Sequence, residues 1–190
     1  MPPWATRFAC LVATALAPAW CAAADDAGSS RLAPAPQGPA ATDTPALLVP
    51  REGLLVAEGQ PAAGDWRALA ERGITTVINL RMDRELGGRD EANEVAAAGL
   101  AYRRIPVDGL DGITTDNAGL LWQAIRDAEG PVLVHCATGN RVGALLALAV
   151  ANEEGVAPDR ALAFGRSAGL SHPKVEALVR ERLGIPSPAE

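Results

Sequence analysis

Short apolar runs alternate with amphipathic stretches from residue 47 onward, which predicts strands that alternate with helices. Four apolar or β-branched runs are typical of buried strands, at residues 54–56, 74–80, 102–107 and 132–134. Helices are predicted between and after them, at residues 65–72, 90–98, 116–128, 140–152, from 158, and at 173–183. Strands connected by helices pair in parallel, so the pattern predicts a three-layer α/β domain with a mostly parallel central sheet flanked by helices.

Residues that begin or end helices support these boundaries. Three of the predicted helices are followed by glycines, which are favoured where a helix ends in a left-handed conformation: Gly73, Gly99 and Gly130. Thr115 is predicted to cap the helix at residues 116–128, since its hydroxyl can accept a hydrogen bond from a free amide. The helix at residues 140–152 is apolar on nearly all sides, which indicates burial within the domain.

Residues 1–24 have the composition of an export signal. Arg7 is their only charge, residues 8–24 are apolar, and the alanines at 22–24 are small enough for cleavage. About 17 apolar residues interrupted by Pro18 are short for a membrane span, so no stable membrane insertion is expected after cleavage. We therefore expect a periplasmic or secreted protein.

The segment behind this signal has a different composition. Residues 25–46 are rich in alanine, proline, glycine, serine and aspartate without a periodic apolar pattern, which predicts a disordered linker. Residues 47–190 are predicted to form one α/β domain.

Charge and ligand-type residues exclude several classes of function. The net charge of −6 disfavours nonspecific nucleic-acid binding, which needs a basic face. Only two histidines are present, His135 and His172, and loss of residues 1–24 would leave Cys136 as the single cysteine. Their spacing gives no metal site, and no cofactor is expected. A lone thiol in an exported protein cannot form an internal disulfide and indicates a reactive group.

The residues around this cysteine carry the candidate chemistry. A buried strand is followed by His135, Cys136 and a short loop, after which a long helix begins. A thiol placed there faces the free N–H groups and the positive end of the helix, which favour its reactive thiolate form. Arg141 adds a planar cation suited to an oxyanion such as phosphate.

We therefore predict that Cys136 is a nucleophile and that Arg141 stabilises the charge of the transferred group. The backbone N–H groups of the loop are predicted to bind the substrate oxyanion, at Ala137, Thr138, Gly139 and Asn140. Gly139 is expected to adopt a positive φ in the tight turn. His135 is expected to point inward from the strand end and orient the loop.

The order His135-Cys136, a short loop with Gly139, then Arg141 resembles the phosphate-binding loop of the dual-specificity and tyrosine phosphatase superfamily. Residues 73–81 and 105–107 are similar to the strands that precede that loop in the superfamily. The chain also resembles bacterial phosphatase-like proteins related to the beta-lactamase hydrolase-like family, which are often labelled sulfurtransferases. The resemblance implies a cysteine phosphatase-like fold and a phosphorylated or other oxyanion substrate.

The resemblance also implies a general acid for the leaving group. Asp108 lies 28 residues before Cys136, close to where these phosphatases carry their general-acid aspartate. Asp111 and Asp116 lie on the same segment and are alternatives, and each of the three could instead be a turn or cap residue.

Two features depart from the superfamily pattern and keep other chemistries open. Only four residues separate Cys136 from Arg141, where the phosphatases usually have five, and Val142 replaces a hydroxyl residue that often follows the arginine. The shorter loop is also similar to that of rhodanese sulfurtransferases. The first hypothesis is hydrolysis of phosphate monoesters through a cysteinyl-phosphate on Cys136. The alternatives are sulfur transfer through a Cys136 persulfide and a non-catalytic oxyanion-binding module.

Overall fold

The structure is a computed structural model that describes residues 47–186. The predicted export signal at residues 1–24 and linker at 25–46 lie outside the described residues, as do residues 187–190 of the predicted domain. Within 47–186, the helices are too short or too polar to cross a membrane.

Strands and helices alternate along most of the described chain, as the apolar pattern predicts. The strands are β1 (Leu47–Arg51), β2 (Leu54–Ala57), β3 (Thr76–Asn79), β4 (Ala101–Arg104) and β5 (Val132–His135). The helices are α1 (Asp65–Glu71), α2 (Glu91–Ala97), α3 (Thr115–Arg126), α4 (Asn140–Glu154), α5 (Pro158–Ser167) and α6 (Pro173–Arg182). A single turn of 3-10 helix at Asp83–Glu85 follows β3.

The strands form one sheet in the order β1-β2-β5-β3-β4, with β5 at its centre. Strands β2, β5, β3 and β4 are parallel, and only the edge strand β1 is antiparallel to its neighbour. The predicted fold class, a mostly parallel sheet with flanking helices, is confirmed. Because the parallel strands all end at the same edge, the residues that follow them are brought together there.

The two faces of the sheet bury different helices. Successive side chains of a strand point to opposite faces, so Val132 and Val134 pack with helices α3 to α6, whereas Leu133 packs with α1 and α2. Helix α4 lies in the larger core, and each residue from Val142 to Val150 is buried. Burial on all sides explains why this helix is apolar on nearly all sides, as the sequence predicts.

The antiparallel edge strand β1 was not predicted. It is partly exposed, with Val49 at 64% exposure, and its pairing with β2 shifts register between Leu48 and Arg51. An irregular edge strand that contains Pro50 has neither an apolar run nor a regular alternation to indicate it.

Several predicted boundaries were wrong by one to three residues. The predicted strands at 74–80 and 102–107 correspond to strands of only four residues each, Thr76–Asn79 and Ala101–Arg104, although Leu80 and Val107 extend the backbone pairing beyond them. Thr114, not Thr115, caps α3, with its hydroxyl accepting from the Asn117 N–H at 3.1 Å. Ile113 is fully buried, and this anchors the chain just before α3 so that the next residue, Thr114, takes the cap position.

Helices α4 and α5 meet at two glycines that leave no room for a side chain. A Cβ on Gly143 would lie 2.5 Å from the Gly165 carbonyl oxygen and 2.5 Å from the Leu170 nitrogen. Both are backbone atoms, so the helices would have to separate. We expect Gly143→Ala to lower the free energy of unfolding by about 1–3 kcal/mol, measured by urea denaturation.

Gly119→Ala is the matched control, because Gly119 lies in α3 and the nearest atom to its added Cβ would be Glu153 Oε1 at 3.7 Å. This substitution is expected to stabilise the protein by about 0.5–1 kcal/mol through helix propensity. A loss of stability of similar size in both variants would contradict the close crossing.

Candidate active site

The Cys136 loop connects the centre of the sheet to the buried helix α4. Strand β5 ends at His135 and α4 begins at Asn140, so Cys136 begins the loop at the carboxyl edge of the sheet. Gly139 has a φ of 78°, as predicted for the tight turn. It packs against Gly169 of the α5–α6 connection, where an added Cβ would lie 3.2 Å from the Gly139 Cα. This close contact braces the loop from outside.

The backbone of the loop is left with free hydrogen-bond donors. The first N–H groups of a helix have no partner within that helix. Among the described residues no acceptor is bound by the N–H groups of Asn140 and Arg141 in the first turn of α4, nor by those of Ala137, Thr138 and Gly139 in the loop before it. They lie at the positive end of a 15-residue helix. The arrangement can bind an oxyanion at the mouth of the loop.

The Asn140 side chain braces the loop and does not point to an empty site. Its Oδ1 accepts from the N–H groups of Ser171 at 2.9 Å and His172 at 2.7 Å. Its Nδ2 lies 3.2 Å from Thr138 Oγ1. Of the groups of Asn140, the backbone N–H is therefore the one that can make the predicted contact with a ligand. Its side-chain amide instead connects the loop to the segment before α6.

Arg141 is held by contacts with two neighbouring loops. Its Nη1 donates to Glu85 Oε2 at 2.8 Å and to the Val107 carbonyl at 2.9 Å, and Nη2 donates to Glu85 Oε1 at 2.5 Å. Burial lowers the pKa of Arg141, but Glu85 and the charge of Cys136 outweigh it and raise that pKa. The N–H of Nε and the second N–H of Nη2 have no oxygen acceptor among residues 47–186, and together they form a parallel pair of donors. Apart from these oxygens, the side chain of Cys136 interacts with the guanidinium.

His135 points away from the pocket into the smaller core. It is fully buried, its ring lies 6.1 Å from that of Trp66, and its Nε2 lies 2.8 Å from Glu91 Oε1. Burial raises the pKa of Glu91, whereas hydrogen bonds from His135 and Gln60 lower it, and the net shift is downward. The inward orientation expected for His135 thus brings a buried carboxylate next to the loop.

A cavity of about 400 Å³ opens beside the loop. The residues that line it come from the segments after β3, β4 and β5 and from the start of α6: Arg84, Glu85, Asp108, Gly109, Leu110, Ile113, Thr138, Asn140, Arg141, His172, Lys174 and Val175. Cys136 is not among them and is 1% exposed. Within residues 47–186 no group of acidic, histidine or cysteine side chains could hold a metal ion.

The structure separates the three candidate aspartates. Asp108 lines the cavity, forms an ion pair with Arg84, and follows the Val107 carbonyl that Arg141 contacts. Asp111 is exposed and does not line this cavity, and Asp116 lies on α3 beside a different surface hollow. Of the three, only Asp108 is brought together with Arg141.

Sequence reasoning missed the role of Glu85 as the partner of Arg141. The two residues are 56 positions apart, and Glu85 lies among several charged residues that resemble a solvated turn. The available signal was topological, because an acid that follows a strand of a parallel sheet lies at the edge where the other strands end.

This combination of a parallel sheet, a Cys-to-Arg loop after its central strand and a buried helix behind the loop is that of the cysteine phosphatase-like α/β domains. Residues 55–153, about half of the chain, match the family "Polymorphic toxin system, DSP-PTPase phosphatase". The chain belongs to this family.

Curated relatives support the resemblance to beta-lactamase hydrolase-like proteins. The proteins of that name from Xylella fastidiosa (strain Temecula1) and Agrobacterium fabrum are 37% and 34% identical over 119 residues, which is 60% of this chain. The matched part is 27% of the length of each relative. The chain therefore matches about a quarter of these longer proteins.

Solved structures show the same fold. A protein from Neisseria meningitidis Z2491 assigned as a phosphatase is 28% identical, with a TM-score of 0.60 over 70% of this chain and 96% of that chain. Tk-PTP in its active form has a TM-score of 0.56 over 73% of this chain and 96% of that chain, at 19% identity. The second likeness shows the fold alone.

The Glu85–Arg141 ion pair predicts a pH dependence of stability. The hydrogen bond from Arg141 lowers the pKa of Glu85 from 4.5 to about 2, against the opposing effect of burial. A depressed carboxyl pKa adds stability that is complete above pH 4.5 and is lost as the pH falls toward 2. We expect Glu85→Gln to cost about 1 kcal/mol at pH 7, after allowance for solvent screening, and less at pH 3.

Urea denaturation of both proteins at the two pH values measures this difference. Glu153→Gln is the control, because Glu153 is exposed on α4 and forms no ion pair with another described residue. A cost of Glu85→Gln that stayed constant between pH 7 and pH 3 would show that the ion pair does not stabilise the fold.

Proposed function

We propose that this protein hydrolyses phosphate monoesters through a covalent phosphate on Cys136. The observation that supports this most directly is the orientation of Arg141. Glu85 binds the end of the guanidinium through both of its oxygens, and the parallel N–H pair on Nε and Nη2 has no oxygen acceptor among residues 47–186, so it is available to an oxyanion. Cys136 begins the loop after β5 and Arg141 lies in the first turn of α4 that ends it, so the sulfur and the guanidinium can act on one group.

In the proposed reaction the phosphoryl oxygens bind the loop amides and the free pair of Arg141 donors. The Cys136 thiolate attacks phosphorus, the ester P–O bond breaks, and a P–S bond forms. Water then attacks the same phosphorus, the P–S bond breaks, and inorganic phosphate leaves with the thiolate restored. No electrons are exchanged with a cofactor in either step.

Asp108 is the proposed general acid for the first step. It lines the cavity, and its neighbour Val107 is bound to Arg141 through the carbonyl at 2.9 Å. A protonated Asp108 would donate its proton to the departing alcohol oxygen, and the resulting carboxylate could accept a proton from water in the second step. Arg84 pairs with Asp108 in this structure and would have to release it to the substrate.

The cavity suggests the class of ester. Leu110 and Val175 supply an apolar wall beside the cationic loop, and Leu110 is 43% exposed. A wall of this kind fits the ring of an aryl phosphate, such as phosphotyrosine or a small aromatic ester, better than a fully polar alcohol.

The second candidate is sulfur transfer through a Cys136 persulfide. The observation that favours it is the loop with four residues between Cys136 and Arg141, which is one fewer than in the phosphatases that the sequence resembles. The thiolate would attack the outer sulfur of thiosulfate and release sulfite, and cyanide would then remove that sulfur as thiocyanate. The two chemistries share the nucleophile, so they are separated by substrate.

A paired assay of residues 25–190 and its Cys136→Ser variant tests the two candidates. One arm follows p-nitrophenol release from its phosphate ester, and the other follows thiocyanate formation from thiosulfate and cyanide. We expect Cys136-dependent phosphate ester hydrolysis, with the variant lowered by at least about 10³-fold because the poorer nucleophile remains protonated. Thiocyanate formation alone would favour the sulfur reaction, and hydrolysis retained by the folded variant would refute the nucleophile.

The role of Asp108 is tested with two esters of different leaving group. Asp108→Asn is expected to lower kcat by about 10²-fold or more for phenyl phosphate, because its poor leaving group needs a proton. The loss should be smaller for p-nitrophenyl phosphate, whose leaving group departs as an anion.

Asp111→Asn is the matched control, since Asp111 lies on the same loop but outside the cavity, and its kcat should remain within about twofold of the wild type. Equal losses for the two esters would argue that Asp108 only holds the loop.

A further inference from the structure

A chain of hydrogen bonds, all but one of them between side chains, runs along the carboxyl edge of the sheet and joins the two ends of the Cys136 loop. It begins at the residue before the cysteine and ends at the arginine that closes the loop. In order, its members are His135, Glu91, Gln60, Arg81, Glu85 and Arg141. They come from the end of β5, from the segments that follow β2 and β3, and from the first turns of α2 and α4.

Glu91 is the most enclosed member of this chain after His135, at 2% exposure. Its Oε1 accepts from His135 Nε2 at 2.8 Å and from Asn79 Nδ2 at 2.9 Å, and its Oε2 accepts from Gln60 Nε2. A buried carboxylate with this many donors has most of its acceptor sites filled, which offsets the cost of removing the charge from water.

The second half of the chain reaches the arginine. Gln60 Oε1 accepts from Arg81 Nη1, and Arg81 Nη2 donates to the backbone carbonyl of Glu85. The Glu85 carboxylate then binds Arg141 through both of its oxygens. Asn79 adds a parallel connection, because its Oδ1 accepts from the Arg81 backbone N–H at 2.7 Å.

The charge on Glu91 sets the direction of its own bonds to His135 and Gln60. A carboxylate can only accept, so Gln60 must turn its amide nitrogen toward Glu91 and its oxygen toward Arg81. The same rule makes His135 donate from Nε2. The other ring nitrogen, Nδ1, is buried and has no partner among the described residues. The bond to Glu91 is therefore the one hydrogen bond within residues 47–186 that fixes the imidazole ring.

We propose that Glu91 is a positioning residue for the Cys136 loop, because it fixes His135 at one end directly and Arg141 at the other through Gln60, Arg81 and Glu85. Glu91 touches no substrate in this proposal. The inference rests on the proposed function only for its kinetic readout, since the positions of the loop amides and of Arg141 also determine how well the loop binds a free oxyanion.

Glu91→Gln tests the direction of the chain with little change in size. The new amide oxygen could still accept from His135 and Asn79, but the new amide nitrogen would face Gln60 Nε2, and both are donors. If Gln60 turned its amide over, its nitrogen would face Arg81 instead. We expect kcat for p-nitrophenyl phosphate to fall by about tenfold or more, with KM and the pH profile of kcat also altered.

A second substitution should restore the activity. In Gln60→Glu/Glu91→Gln the carboxylate moves one place along the chain, so that it accepts from the new amide at position 91 and from Arg81. Every donor again faces an acceptor, and we expect kcat to return to within about threefold of the wild type. If position 91 only needed a charge for structural reasons, this exchange would not restore the activity, because the carboxylate would then be at position 60.

Glu94→Gln is the matched control for the loss of a carboxylate from α2. Glu94 pairs with Arg89 and accepts from Trp66 Nε1 at 3.1 Å, and among the described residues it forms no hydrogen bond with a member of the chain that joins His135 to Arg141. Its kcat should remain within about twofold of the wild type. If Glu91→Gln does not fold, as judged by circular dichroism, Gln60→Leu replaces it, because it removes the side-chain connection from Glu91 to the Arg81 guanidinium while leaving the His135–Glu91 pair and the Asn79 contacts intact.

Binding of inorganic phosphate to the same variants in a Cys136→Ser background, measured by calorimetry, separates this inference from the proposed function. We expect Glu91→Gln or Gln60→Leu to weaken phosphate binding by about tenfold and the double exchange to restore it. A wild-type protein that binds phosphate without hydrolysing esters would refute the proposed function alone. Wild-type phosphate affinity in the folded single variants, or no recovery in the folded double variant, would overturn the role of Glu91.

Discussion

The two carboxylate oxygens of Glu85 hold the guanidinium of Arg141 by its end, and the chemistry open to the loop depends on that contact. The Arg141 side chain is only 12% exposed, so its charge needs a close partner to offset lost hydration. A guanidinium bound end-on keeps its side-on pair of donors in a fixed direction. Without Glu85 the same cation would be free to turn toward other carboxylates or toward water. The ion pair thus converts a charge near the loop into an oriented binding group.

The same guanidinium organises the ends of three adjacent strands. It begins in the helix after β5, binds Glu85 in the turn after β3, and donates to the carbonyl of Val107 after β4. Asp108 follows that carbonyl, so the position of the proposed general acid depends on the residue that is proposed to bind phosphate. A parallel sheet allows these contacts, because the loops that follow its strands lie at the same edge and a single arginine side chain can reach all of them.

The sequence predicted the parts of this arrangement that are local. The apolar runs gave β2 to β5, and the spacing of Cys136, Gly139 and Arg141 gave the loop, including the positive φ of Gly139. It could not show which charged residues are buried. Glu91 at a helix start looks like an ordinary surface acid, and only its contact with His135, 44 positions away, explains its burial. Long-range polar pairing leaves no periodic signal along a chain.

Contacts with the α5–α6 connection hold the short Cys136 loop in place from outside. Gly169 lies against Gly139, and Asn140 holds the N–H groups of Ser171 and His172, so the loop cannot widen without separating from the α5–α6 connection. Its donors are therefore fixed before a ligand arrives, which is the condition under which fixed dipoles stabilise developing charge most effectively. Cys136 is 1% exposed behind this loop, so an oxyanion would have to approach from the side of the cavity where Thr138 and Arg141 lie. The side from which a ligand can approach this fixed loop, more than the number of residues in the loop, would then determine which group reaches the sulfur.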